Sequence, residues 1–238
     1  MTVRVHGADG CRLGYALVSV CAEGPLLPVA ALVPSLRQLI DAGEVLAVDM
    51  PIGLPARVEG PGRAAEQAVR PLLGPRQSSV FSIPSRAAVF ADDYRSACAA
   101  ALATSTPPRK VSKQAFQLFA KIRALDGELT AVNSADVYEV HAEVAFWRLN
   151  GEAPMPTAKR VRGVPAAEGL AERIALLVRH GFEASFFTAA RPAGVPLVDL
   201  VDAAAVALIA RRCAAGLARP FPDPPGRDER GLRIAIWA

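Results

Sequence analysis

Residues 45–55 read Val-Leu-Ala-Val-Asp-Met-Pro-Ile-Gly-Leu-Pro, a short apolar run that ends in one carboxylate, Asp49, and then breaks on proline and glycine. Apolar residues bounded by Gly and Pro suit a strand buried on both faces, and such strands belong to sheets covered by helices. That directs the chain toward an α/β architecture. Aspartate is depleted in strands, so its place at the end of this one needs a reason. Open sheets put their ligand crevices beyond the carboxyl ends of the strands, which makes Asp49 a site candidate. A turn residue ahead of Met50 and Pro51 is the alternative reading.

The segments on either side build the sheet. Val3–Ala8 and Tyr15–Val20 read as strands of a hairpin joined by the turn-rich Asp9-Gly10-Cys11-Arg12-Leu13-Gly14. A third strand is predicted in Leu26–Val33, then a helix over 34–42 with Ser35 near its start. Beyond Pro55, residues 56–90 carry Arg57, Arg63, Arg70, Arg76 and Arg86 among Gly, Pro and Ser. Helices are predicted over 63–73, 93–103 and 112–129, so residues 56–134 are expected to form a largely helical and looped insertion over one end of the sheet. Ala135–His141 reads as a strand, where a period of two puts Glu139 and His141 on one face. Helices over 142–149, 166–179 and 196–216 and a short strand at 232–237 follow. The chain's 238 residues, 52% of them hydrophobic, suffice for a single domain spanning 1–238 with its own core.

Composition narrows the function. Cys11, Cys21, Cys98 and Cys213 are scattered without a C-x-x-C pair, which speaks against a zinc site or a disulfide framework and fits buried thiols in a reducing cytoplasm. No basic stretch followed by an apolar one opens the chain, so no secretion signal is expected. The longest weakly polar run, 193–210, contains Asp199 and Asp202. Each would cost roughly 2.5–3.5 kcal/mol at the middle of a membrane, so no membrane partner is expected. The formal charge of +4 mildly favours an anionic partner.

That same run is the strongest physical anomaly. From Gly194 to Ala210 every residue is apolar or small except Asp199 and Asp202. A helix without a polar face is buried, and acids three apart lie on one face of it. Two like charges side by side in a core need a cation or hydrogen-bond donors; the alternative is that both face solvent at the helix start, where carboxylates suit the dipole. Asp9 ends the first strand as Asp49 ends the fourth, although Asp9-Gly10 also fits a hairpin turn. Several carboxylates at one sheet edge form a hard-oxygen site suited to Mg²⁺ or Mn²⁺. Glu139 and His141 can add a ligand and a general base. Arg76, Ser78, Ser79, Arg86, Lys113, Lys159 and Arg160 form a basic and hydroxylic set able to grip phosphates. Signatures of serine hydrolases, zincins and P-loops are missing from the sequence.

Taken together, Gly7-Ala-Asp-Gly-Cys, Val48-Asp-Met-Pro-Ile-Gly-Leu-Pro, Leu73-Gly-Pro-Arg-Gln-Ser-Ser-Val-Phe, Ser112-Lys-Gln, Glu139-Val-His-Ala-Glu, the Asp199/Asp202 helix and Gly231-Leu-Arg-Ile-Ala-Ile-Trp resemble domain-of-unknown-function family 429. Its members are expected to be RNase H-like nucleases. The resemblance implies a mixed five-stranded sheet, three antiparallel strands then two parallel ones, flanked by helices. It also implies carboxylates on the first and fourth strands and the last helix that bind two divalent metals: Asp9, Asp49 and Asp199 or Asp202, with Glu139 as a further candidate. The D-x-x-D of the last helix is similar to that of Holliday-junction resolvases, and the resemblance singles out Arg76 and Lys113 among the basic residues. Departures from the family pattern fall at Ala120 and Ala142, where proline is usual, at Ala235, where glutamate is usual, and at Val198, where a second acid is usual.

The expected function is a divalent-metal-dependent nuclease that uses Mg²⁺ or Mn²⁺ on an unidentified nucleic acid. Two other readings share these residues. One is a nucleic-acid or protein-binding module of the same fold with weakened chemistry, motivated by Ala142 and Ala235. The other is an actin-like nucleotide-binding phosphotransferase or ATPase, with which Asp9-Gly10 and Gly14 are compatible.

Overall fold

The computed structural model describes residues 3–161, 163–189 and 191–238. Three strands, β1 (Arg4–Cys11), β2 (Gly14–Cys21) and β3 (Val29–Val33), form an antiparallel meander. A short helix α1 (Arg37–Ala42) leads into β4 (Leu46–Asp49), which lies parallel to β1, and β5 (Val137–Glu139) lies parallel to β4. The sheet therefore runs β3-β2-β1-β4-β5, mixed as expected. The hairpin turn is Arg12-Leu13, not Asp9-Gly10: Cys11 pairs with Gly14, and Asp9 is a strand residue opposite Ala16.

Alternation along the strands divides the core. Val5, Ala16, Val18, Val20 and Ala47 face a layer made by α6 (Ala142–Leu149), α7 (Ala167–Arg179), α8 (Phe186–Ala189) and α9 (Leu197–Ala214). The apolar character of α9 is explained by its place: every residue from Leu200 to Ala210 is buried. It lies so close to the sheet that a Cβ on Gly7 would sit 2.1 Å from the Ala207 nitrogen and 2.5 Å from the Ala203 oxygen. Glycine at that position is what lets helix and sheet backbones touch.

Ala8, Leu17, Leu46 and Val48 face the other way, onto α3 (Arg86–Val89), α4 (Tyr94–Thr104) and α5 (Lys113–Glu128). The middle third therefore divides. Its later helices cover the second face of the sheet, with Phe119, Ile122 and Leu125 of α5 in the core. Its earlier part, α2 (Ala64–Val69) and a tight 3₁₀ segment (Arg70–Ser79), sits at the ends of the strands. Asp93 and Ser112 cap α4 and α5 by accepting from the Ser96 and Ala115 N–H groups.

A second, two-stranded sheet was not expected in full. β6 (Pro220–Arg227) pairs with β7 (Arg233–Trp237), the register shifting between Phe221 and Gly226. Proline-rich sequence reads as loop, but edge strands and bulges tolerate proline. Among the described residues no helix is long and apolar enough to cross a membrane.

Candidate functional site

Strand register builds the site. Asp9 pairs with Asp49 across the parallel β1/β4 ladder, and residues opposite each other in a ladder project to the same face. Gly7 and Ala47, two residues earlier in each strand, meet α9, so Asp9 and Asp49 project toward the start of that helix. Asp199, in its first turn and half-buried, and Asp202, 4% exposed, approach from the other side. These four acids line a cleft of about 560 Å³, walled by the 3₁₀ segment and by residues 158–160.

Glu139 pairs with Val48 and therefore leaves the opposite face of the sheet from Asp49. It reaches the cleft lining, but its oxygens are taken: Arg63 Nη2 donates to Oε1 at 2.5 Å, and Arg63 Nη1 and the Ile52 N–H donate to Oε2 at 3.1 and 2.7 Å. Burial pushes its carboxyl up, to about 7, against the pull of Arg63. β5 stops at Glu139, so the expected shared face with His141 does not form; His141 precedes α6, its Nε2 3.3 Å from the Ser79 oxygen and its Nδ1 buried without a partner.

Arg76, Ser78 and Ser79 also line the cleft. Arg76 donates to the Pro156 oxygen at 2.9 Å and so spans from the 3₁₀ segment to the 150s loop. Lys113 does not line the cleft; it is exposed in the first turn of α5. Arg86 is committed elsewhere, donating to Asp126 at 2.8 Å and to Asp228 at 3.0 Å.

Two further groups complete the electrostatics. Lys159 forms an ion pair with Asp202 Oδ2. Burial acts to discharge this ammonium, but the charges of Asp202, Glu143 and Asp49 outweigh it and hold the lysine above its ordinary value. Glu143, on α6, accepts from Arg173 Nη2 at 2.8 and 2.9 Å. Its carboxyl falls below the usual range because Lys159 and Arg173 together overcome burial. Nothing in the spacing of 143, 159 and 173 shows this: the three residues come from α6, a loop and α7, and only the folded chain brings them together. Glu143 and Arg173 carry no strand or turn anomaly to draw attention to them.

The aspartates show the opposite pressure. Burial, followed by the charges of Asp49 and Asp202, holds the Asp9 carboxyl well above the usual range. Burial raises Asp199 against Arg160 and Lys159, and raises Asp202 to about 6 against Lys159. Ala142, where the family pattern has proline, supplies an N–H to Asp49 Oδ2 at 3.2 Å, a donor that proline would lack.

Raised carboxyls fix the sign of the pH response. The folded protein keeps protons on Asp9, Asp199, Asp202 and Glu139 that the unfolded chain releases above about pH 4. Stability from these groups is therefore complete below about pH 4 and falls as pH rises through about 7. His6, held below its ordinary value by burial, acts in the opposite sense below about pH 6.5, and Glu143 and Asp93, held below theirs, do so only below about pH 4.5, under the range compared. In EDTA the melting temperature is expected to be higher at pH 5 than at pH 8, by calorimetry in matched salt; a flat or rising trend would contradict these environments.

The donor set suits a hard divalent cation in its chemistry. All four aspartates offer oxygen, and Asp202 Oδ1 is buried with no hydrogen-bond partner. The arrangement itself is one in which a lysine already meets the acids: among the described residues, no group of three or more His, Cys, Asp or Glu is set to hold a metal ion. The model of the family described as "Protein of unknown function (DUF429)" matches residues 7–227. The chain belongs to this family. The matched region includes all four aspartates, Lys159 and the whole five-stranded sheet except the first residues of β1. Comparisons with curated proteins and with solved structures gave no match.

Proposed function

We propose that this DUF429 protein is a divalent-metal-dependent hydrolase of phosphodiester bonds in nucleic acid, built on an RNase H-like fold. The observation that carries the reading is the Asp9–Asp49 pair on adjacent parallel strands, facing Asp199 and Asp202 of the buried helix. Three antiparallel strands continued by two parallel ones agree with the RNase H-like sheet. Asp9, Asp49, Asp199 and Asp202 are the residues that would hold Mg²⁺ or Mn²⁺. A bound ion of this kind polarises a phosphate and activates water at neutral pH.

The chain's own groups account for the rest. Arg76, Ser78 and Arg160 line the cleft with donors suited to phosphate oxygens. His141 Nε2 faces the Ser79 carbonyl, and the tautomer that donates there leaves Nδ1 a bare acceptor, as a general base requires. Labelled single- and double-stranded DNA, RNA and hybrid, incubated with the protein in Mg²⁺, Mn²⁺ or EDTA, test the proposal. Cleavage of at least one substrate, dependent on the metal, is expected; cleavage of none, or cleavage unchanged in EDTA, would overturn it.

The Lys159–Asp202 pair favours a second reading, a module that binds nucleic acid without cutting it. Binding that weakens with salt, ignores metal and yields no product would select it.

A further inference from the structure

We infer that the Lys159 ammonium is a built-in cation of the carboxylate centre that takes the place of a second divalent ion, so that the site holds one metal. The inference rests on the metal-dependent reading above.

Lys159 differs from a surface lysine, which samples many rotamers. Its side chain is 21% exposed, its ammonium pairs with Asp202 Oδ2, and Asp49 and Glu143 also face it. The backbone carrying it is fixed on both sides. Arg173 Nη1 donates to the Thr157 oxygen at 3.0 Å, and Thr157 donates through Oγ1 and N to Glu172 at 2.6 and 3.2 Å. The Ala158 carbonyl rests on Gly169, where a Cβ would lie 2.1 Å from its oxygen. The Lys159 oxygen accepts from the Ala166 N–H at 2.9 Å. This loop has been fastened to α7, and the reach of the ammonium is set by it.

The acids confirm the economy of charge. Asp202 gives one oxygen to Lys159, and its other oxygen is buried and unpartnered, which is costly unless a cation meets it. Glu143, Glu139 and Glu66, the remaining acids of the cleft, are already held, the first by Arg173 and the other two by Arg63. Carboxylates that bind a metal are ionised, and Lys159 and Arg160 both act on the aspartates; four negative charges against these two cations leave two, which one divalent ion neutralises, whereas two ions would leave the centre positive. Four aspartates thus match one metal plus these two cations.

The test counts Mn²⁺ bound to the full chain by electron paramagnetic resonance and equilibrium dialysis, with no activity readout. Wild type is expected to bind one ion in the cleft. Lys159→Met, which frees Asp202 Oδ2 beside Asp49, is expected to bind two with an exchange-coupled signal, and Lys159→Arg to return the count to one. Two ions in wild type, or one in a folded Lys159→Met, would overturn the inference and leave the nuclease reading standing. No Mn²⁺ in either protein would overturn the metal-dependent reading, and this inference with it. Should Lys159→Met fail to fold, the wild-type count decides alone: one ion supports the inference and two overturn it.

Discussion

Arg63→Ala will lower the unfolding free energy by about 3–5 kcal/mol, the usual cost of removing one partner from a buried charge network. Arg63 has no side-chain exposure. Its Nη2 donates to Glu66 Oε1 and Glu139 Oε1, each at 2.5 Å, and its Nη1 donates to the Ile52 and Gly53 oxygens at 2.7 and 2.9 Å. Alanine would leave two glutamates and two carbonyls in the interior without their main donor. A domain's whole stability is about 5–15 kcal/mol, so much of the chain would unfold at growth temperature. The loss also reaches the site, because Ile52 and Gly53 lie in the turn directly after Asp49. That turn is tightly constrained: Gly53 has φ +74°, and a Cβ there would meet the Arg233 oxygen at 2.7 Å. The triple change Arg63→Met, Glu66→Gln, Glu139→Gln is expected to cost less than Arg63→Ala alone, since it removes the charges together. Urea denaturation measures both; a loss under about 1 kcal/mol in Arg63→Ala would contradict the network.

Asp49→Asn is expected to reduce metal-dependent cleavage on the order of 10²- to 10³-fold, the rate equivalent of the several kcal/mol that metal-centred charge stabilisation supplies. Stability should hold or rise. Asparagine keeps an oxygen able to accept the Ala142 N–H that now donates to Asp49 Oδ2 at 3.2 Å. It also removes one of the like charges that hold the Asp9 carboxyl up. Loss of activity with an unchanged or higher melting temperature separates a ligand from a structural acid. Equal cleavage by wild type and Asp49→Asn would assign the activity to another site or to a contaminant.

The parts of this molecule that were legible in the sequence are those written in local pattern. The apolar run through Asp49, the meander before it and the helix without a polar face led to the α/β class and the four aspartates, while the mixed sheet was implied by the family resemblance. Parallel register, which no local pattern encodes, is what sets Asp9 opposite Asp49 and turns Glu139 to the other face. Arg63 and Glu139 lie 76 residues apart, so their pairing has no signature in the chain. Lys159 reads as one more loop cation until the loop is fastened to α7 by Arg173 and Glu172. Lys113, singled out by resemblance, sits on the exposed start of α5, where a cap and solvent explain it. β6 was hidden by its prolines, which its edge position and register shift accommodate.

The most direct measurement is diffraction from crystals soaked in Mn²⁺, with anomalous data collected at the manganese edge. One strong peak is expected in the cleft, within ligand reach of Asp9, Asp49 and Asp202 and beside the Lys159 ammonium. Manganese absent from that cleft, with the four aspartates turned away from one another, would contradict the proposed metal site.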